Sequence, residues 1–117
     1  MLTRRNSRAE AAALDDNAPV FAALGDQTRL RLVARLGLEG PLSISRLSDG
    51  AGVTRQAVTK HLRVLADAGL ARGLRQGREQ FWELETAQLA EARRSLERIS
   101  QRWDEALGRL KESLEHS

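Results

Sequence analysis

Cysteine is absent from the 117 residues. That excludes disulfides and thiolate metal sites, and it suits a cytoplasmic protein. No apolar run approaches the ~20 residues needed to cross a bilayer. The basic N-terminus lacks an apolar h-region, so no secretory signal and no membrane partner are expected. Histidine occurs only as His61 and His116. A helix-borne metal site needs ligands on one face at about i, i+4 spacing, which only Glu112 and His116 meet, and His116 is almost at the chain end. Neither a metal nor any other cofactor is expected. The chain has no phosphate-cradling GxxxxGK[ST] loop, no cysteine nucleophile and no histidine–carboxylate pair on a plausible pocket wall, so it does not read as an enzyme. Excess charge is small as well. Nineteen Lys and Arg face sixteen Asp and Glu, a formal net charge of +3. Any case for a nucleic-acid partner must therefore rest on where the charges lie.

The most informative stretch is Ser43 to Ala68, SISRLSDGAGVTRQAVTKHLRVLADA. Thr54 is a good N-cap, because its hydroxyl can accept an N–H of the following first turn. Advancing ~100° per residue from there gathers Ala57, Val58, His61, Leu62, Val64 and Leu65 on one side. Arg55, Gln56, Thr59, Lys60 and Arg63 gather on the other, with no acid before Asp67. Such a face suits a DNA major groove, where Arg or Lys pairs with guanine and Gln with adenine. A short helix capped by Ser43, with Ile44 and Leu47 facing inward, precedes it. Gly50-Ala51-Gly52 makes the turn and Val53 closes the gap. That spacing is a helix-turn-helix. The bland alternative is a helical hairpin with a solvated polar face.

Residues 1–16, with Arg4, Arg5 and Arg8 followed by an alanine run, read as a flexible tail. The sharper alternative is a basic arm on DNA phosphates. Asn17 and Pro19 then mark a helix start, and Val20, Phe21 and Leu24 give it a short apolar stripe. Gly25 ends that helix and Asp26 caps the next, roughly Gln27 to Leu38, whose Leu30, Leu32, Val33 and Leu36 are core candidates. Arg29, Arg31 and Arg35 are left to point outward or alongside. An acidic effector at Arg31 and Arg35 and ordinary surface charge explain those two equally well. Beyond Gly69, a natural C′ residue, two strands are expected, Leu70 to Gln76 and Arg78 to Leu84, turning at Gln76-Gly77. Arg72, Arg75 and Arg78 make this hairpin a wing suited to the DNA backbone. The plainer reading is solubilising charge on an edge hairpin.

Thr86 to His116 is the longest helical pattern. Leu89, Ala92, Leu96, Ile99, Trp103, Ala106 and Leu110 recur at alternating steps of three and four, an a/d seam over about three heptads. A helix of ~30 residues is ~45 Å long, too long for the small domain before it to cover. A second copy of the chain would cover it, with Val20, Phe21 and Leu24 helping. The expected division is a tail 1–16, a winged core 17–85 and a dimerisation helix 86–117. A two-fold axis would then present two recognition helices ~34 Å apart to an imperfect inverted repeat.

Taken together, VFAALGDQTRLRLVARL and ISRLSDGAGVTRQAVTKHLRVLADAGLARGLRQGREQFWEL resemble the ArsR-type winged helix-turn-helix regulators. The match runs nearly from Pro19 to Leu84, and the last helix falls where that family dimerises. The resemblance implies a mainly α fold of order ααααββα with a β-hairpin wing, and a dimeric repressor on double-stranded DNA. Without cysteine the chain looks closest to the metal-independent branch, and any small-molecule effector is left open. On this reading Arg55, Gln56, Thr59, Lys60 and Arg63 read bases or anchor the helix, Arg75 and Arg78 hold phosphates, and Ser43, Ser45 and Thr54 add neutral phosphate contacts near helix N-termini. The competing reading is a winged protein-interaction module that does not read DNA; its binding would barely respond to salt.

Overall fold

The computed structural model describes residues 4–116, an elongated molecule of 68 × 28 × 20 Å. Helix α1 spans Arg4–Leu24 and α2 spans Gln27–Glu39. A two-residue strand β1 (Leu42–Ser43) leads into α3 (Ile44–Ser48), which is followed by α4 (Arg55–Asp67). Strands β2 (Ala71–Gln76) and β3 (Glu79–Leu84) and the long α5 (Thr86–Glu115) complete the chain. The expected winged architecture is present. The addition is β1, which pairs with β3 through Leu42↔Trp82 and Ser43↔Phe81 and gives an antiparallel sheet of order β1-β3-β2.

Three expected caps form. Asp26 accepts from the Arg29 N–H at 3.0 Å, Ser43 from Arg46 at 3.2 Å and Thr54 from Ala57 at 3.1 Å. Each satisfies an N–H that the first helical turn cannot. Helix α4 stops at Gly69, whose φ of 78° suits glycine. The Leu70 N–H then reaches back to Leu65 O at 2.8 Å, the six-to-one bond of a Schellman closure. At the wing tip Gly77, with φ 63°, holds the first central position of a two-residue turn while Arg78 keeps a negative φ, the pattern of a type II′ turn.

The core lies where α4 crosses α2 and α3 above the sheet. Val58, Leu62 and Leu65, at i, i+4 and i+7 of α4, are fully buried with Leu47 and Leu70. Leu32 and Leu36 of α2, Leu42 and Trp82 close the cluster. Leu30 and Val64, counted as interior from the sequence, are 50% and 41% exposed. The apolar stripes of α2 and α4 are narrower than the residue types suggest.

The largest departure is at the N-terminus. The expected boundary at Asn17 falls inside α1, which runs unbroken from Arg4 and packs along α5. Met1–Thr3 of the expected tail, and the side chains of Arg4 and Arg5, lie outside the described residues. Asn17 is buried, not a cap: its Nδ2 donates to Ala13 O at 2.7 Å, one turn back, and to Ser95 Oγ of α5 at 3.1 Å. Glu10 pairs with Arg102 further along the same groove. These tertiary contacts stabilise a helix that would be marginal in isolation. Pro19 offers no N–H to the carbonyl four residues earlier, but Pro19 and Asp15 are both exposed, so water can satisfy that carbonyl.

Candidate nucleic-acid interface

Helix α4 rests on the core by its leucine face, which fixes the direction of the opposite face. Gln56, Lys60 and Arg63 are exposed there, and Thr59 is half-buried with its hydroxyl donating to Arg55 O at 3.0 Å. A shallow depression of 530 Å³, lined by Thr54, Gln56, Ala57, Thr59, Lys60 and Arg63, runs along this face. Lys60 and Arg63 form no ion pair among the described residues, so their charges are available to a partner. Arg55 is held differently. Its guanidinium donates to Ser45 Oγ at 2.9 Å, tying the first turn of α4 to α3.

The wing adds charge selectively. Arg72 is bound to Glu83, and its Nε lies 3.1 Å from Glu85, so it is neutralised on the sheet. Arg75 and Arg78 sit beyond those acids, exposed and unpaired among the described residues. The structure thus sets Thr54 in the depression with the α4 side chains and Ser45 against Arg55, while Ser43 caps α3 and Arg75 and Arg78 lie on the hairpin that packs against α4.

A support for this surface was not legible from spacing. Arg29, left outward or alongside by the sequence, folds beneath α4. Its Nε donates to Ala23 O at 2.6 Å, and its Nη1 meets His61 Nδ1 at 3.3 Å. His61 Nδ1 is also 3.9 Å from the Asp26 carboxylate. The cap bond from the Arg29 N–H holds the Asp26 carboxyl below its ordinary pKa, against a weaker opposing effect of burial, and the charges of Arg29 and His61 act in the same direction as the cap. This network joins the end of α1, the start of α2 and the inner face of α4. Only an arginine inside the GDQTRLRL stretch, next to a cap, hinted at it. Among the described residues no group of three or more His, Asp or Glu side chains converges as a metal site would.

The expected dimer residues fall into two sets. Val20 and Ala92 are each 2% exposed and belong to the protomer's own core, which corrects their assignment to an interface. Phe21, Leu24 and Leu89 pack against that core. The reason is α1, whose side-by-side packing on α5 uses the first part of the seam. Beyond it, Leu96, Trp103 and Leu110 are 52%, 65% and 56% exposed, and Leu107 and Leu114 extend the bare stripe. Ile99 and Ala106 lie half-buried beside it.

This arrangement is that of a winged helix-turn-helix protein with a free polar recognition face. A family model described as a helix-turn-helix domain matches residues 24–73. The chain is 38% identical over 87 residues to the HTH-type transcriptional regulator Rv2034 of Mycobacterium tuberculosis, an alignment covering 74% of this chain and 78% of that protein. It is likewise 38% identical to an ArsR-like transcriptional regulator from Rhodococcus sp. RHA1, with a TM-score of 0.73 over 86% of this chain and 94% of that one. It shares its fold with the homodimeric winged helix-turn-helix DNA-binding domain of Mb0332 from Mycobacterium bovis, at 22% identity and TM-score 0.61, over 86% and 89% of the two chains. The chain belongs to the ArsR-type winged helix-turn-helix regulators and is a DNA-binding transcriptional regulator.

Proposed function

We propose that the protein is a homodimeric repressor that occupies an inverted-repeat operator, and that the α4 face reads it. One observation carries the reading: a helix seated on a fully buried leucine row aims Gln56, Lys60 and Arg63 outward, with no acid among them. Gln56 and Lys60 lie where major-groove base edges would be, and Arg55, Thr59 and Arg63 anchor the helix. Arg75 and Arg78 reach phosphates from the wing, and Ser43, Ser45 and Thr54 add neutral contacts near the starts of α3 and α4. A second copy covers the α5 stripe of Leu96, Trp103 and Leu110, since an exposed row of that kind is seldom left bare. Two-fold pairing then sets the recognition helices about one DNA turn apart. The dimer acts by steric exclusion of polymerase in the cytoplasm and carries out no catalysis. No helix among the described residues is long and apolar enough to cross a membrane, which agrees with that location.

Selection from random duplex DNA, followed by footprinting, tests the reading. The expected winner is a two-half-site repeat protected over both halves and bound by a species of dimer mass in light scattering. Enrichment of no sequence, or a monomer on a single half-site, would overturn it.

A further inference from the structure

Between α2 and α3 lies a cavity of 290 Å³. Its walls are mainly hydrocarbon, from Leu32, Ala34, Leu47 and Ala51, and its mouth carries Arg31 and Arg35. These two arginines are one helical turn apart on α2, a like-charge spacing that costs stability on an isolated helix. The fold uses only one of them. Arg35 donates through Nε to Glu39 Oε2 at 3.1 Å and through Nη1 to Leu47 O and Asp49 O at 3.3 and 3.4 Å. It therefore pins the last carbonyls of α3 to α2. Arg31 is exposed and pairs with nothing among the described residues.

We propose that this cavity is an effector site for a small monocarboxylate with an apolar body. The carboxylate would sit between Arg31 and Arg35, and the hydrocarbon would lie on Thr28, Ala34 and Ala51, above the buried Leu32 and Leu47. At about 30 Å³ per water-sized group, the cavity holds roughly ten non-hydrogen atoms, the size of a medium-chain fatty acid or an arylacetate. Charge complementarity selects the occupant: the unpaired Arg31 and the Nη1 of Arg35, whose Nε stays on Glu39, flank an otherwise oily recess, and charge-assisted pairs to a carboxylate are shorter and stronger than the long bonds of that Nη1 to neutral carbonyls. Occupation thus draws Arg35 off Leu47 O and Asp49 O. That releases the end of α3 and, through the Ser45–Arg55 bond, disturbs the first turn of α4. The consequence for regulation rests on the operator reading above; the binding itself does not.

The test uses octanoate and phenylacetate on the full chain without DNA, with 1-octanol as the uncharged control, followed by amide NMR shifts. The expected result is saturable shifts centred on Thr28, Arg31, Ala34 and Ala51. Arg31→Gln, at an exposed unpartnered position that leaves folding intact, should weaken binding at least tenfold. Octanol should produce no comparable saturation. Absence of saturable shifts at these residues, equal binding by octanol, or unchanged binding by Arg31→Gln would each overturn the site. In a second arm, octanoate at saturation should lower affinity for a selected operator at least fivefold, within the usual range of coupling between sites. Saturable binding with unchanged operator affinity would overturn the coupling. Failure to select any operator would count against the repressor reading and would leave the NMR result standing on its own.

Discussion

Removing the wing-tip charge should change the salt dependence of DNA binding by a definite amount. Lys60, Arg63, Arg75 and Arg78 are the exposed basic groups of the recognition face and wing with neither an ion pair nor a side-chain hydrogen bond among the described residues, whereas Arg55 is tied to Ser45 and Arg72 is held by Glu83 and Glu85. A dimer carries about eight such cations. If each displaces one counterion on docking, Lys60 from within the groove and the others from the backbone, log K should fall against log salt with a slope of about −7, since each contributes about −0.9 on B-form DNA. Between 50 and 200 mM salt that is a loss of about ten-thousandfold in affinity. Arg78→Ala removes one cation from each protomer, so the slope should relax by about 2, and affinity should fall by a similar factor on every sequence. Gln56→Ala should leave the slope unchanged and relax preference at one position in each half-site, by about 1–3 kcal/mol of discrimination. Fluorescence anisotropy over a salt series, on the operator and on scrambled duplex, measures both. An Arg78→Ala slope equal to that of the parent, or a parent slope shallower than about −2, would refute the assignment of Arg75 and Arg78 to phosphates.

Three further outcomes follow from the packing. Trp103→Glu places a charge in the bare stripe of α5 and should convert a dimer to a monomer in light scattering while the helical circular dichroism of the winged core persists; a retained dimer would move the interface elsewhere. Asn17→Ala leaves the buried Ser95 hydroxyl without its α1 partner and should cost about 1–3 kcal/mol in urea unfolding, with much of that recovered when Ser95→Ala is added; a loss near zero would mean that the pair does not hold α1 on α5. The Asp26 carboxyl is held below its ordinary pKa chiefly by the Arg29 N–H, so its stabilisation is fully present above about pH 4 and is lost as pH falls through the lower folded value. Asp26→Asn should accordingly flatten the acid limb of the stability profile, and an unchanged limb below pH 4 would assign acid sensitivity to other carboxylates.

Local signals carried much of the fold because the chemistry they report is local. A hydroxyl at Thr54, a carboxylate at Asp26 and a glycine at Gly69 act on backbone groups a few residues away, and each forms the expected cap or closure. The apolar row of Val58, Leu62 and Leu65 likewise fixed which side of α4 turns outward, so the polar candidates could be named by periodicity alone. What lay beyond the sequence was which neighbour each side chain would meet. Arg72 and Arg78 look alike in a string of residues, yet strand register puts Glu83 opposite the first and nothing opposite the second. Residues 4–16 carry helix formers but no apolar stripe that calls for a partner, and packing along α5, through Ser95 and Arg102, makes one helix of Arg4–Leu24. That same packing took Val20 and Ala92 into the protomer's core and left Leu96, Trp103 and Leu110 bare. Residue type and spacing determined the elements and their faces, because helix and strand periods repeat over a few residues. Tertiary structure decided which charges are spent, which apolar rows are covered and where α1 begins, because those depend on groups that are distant along the chain and adjacent in space.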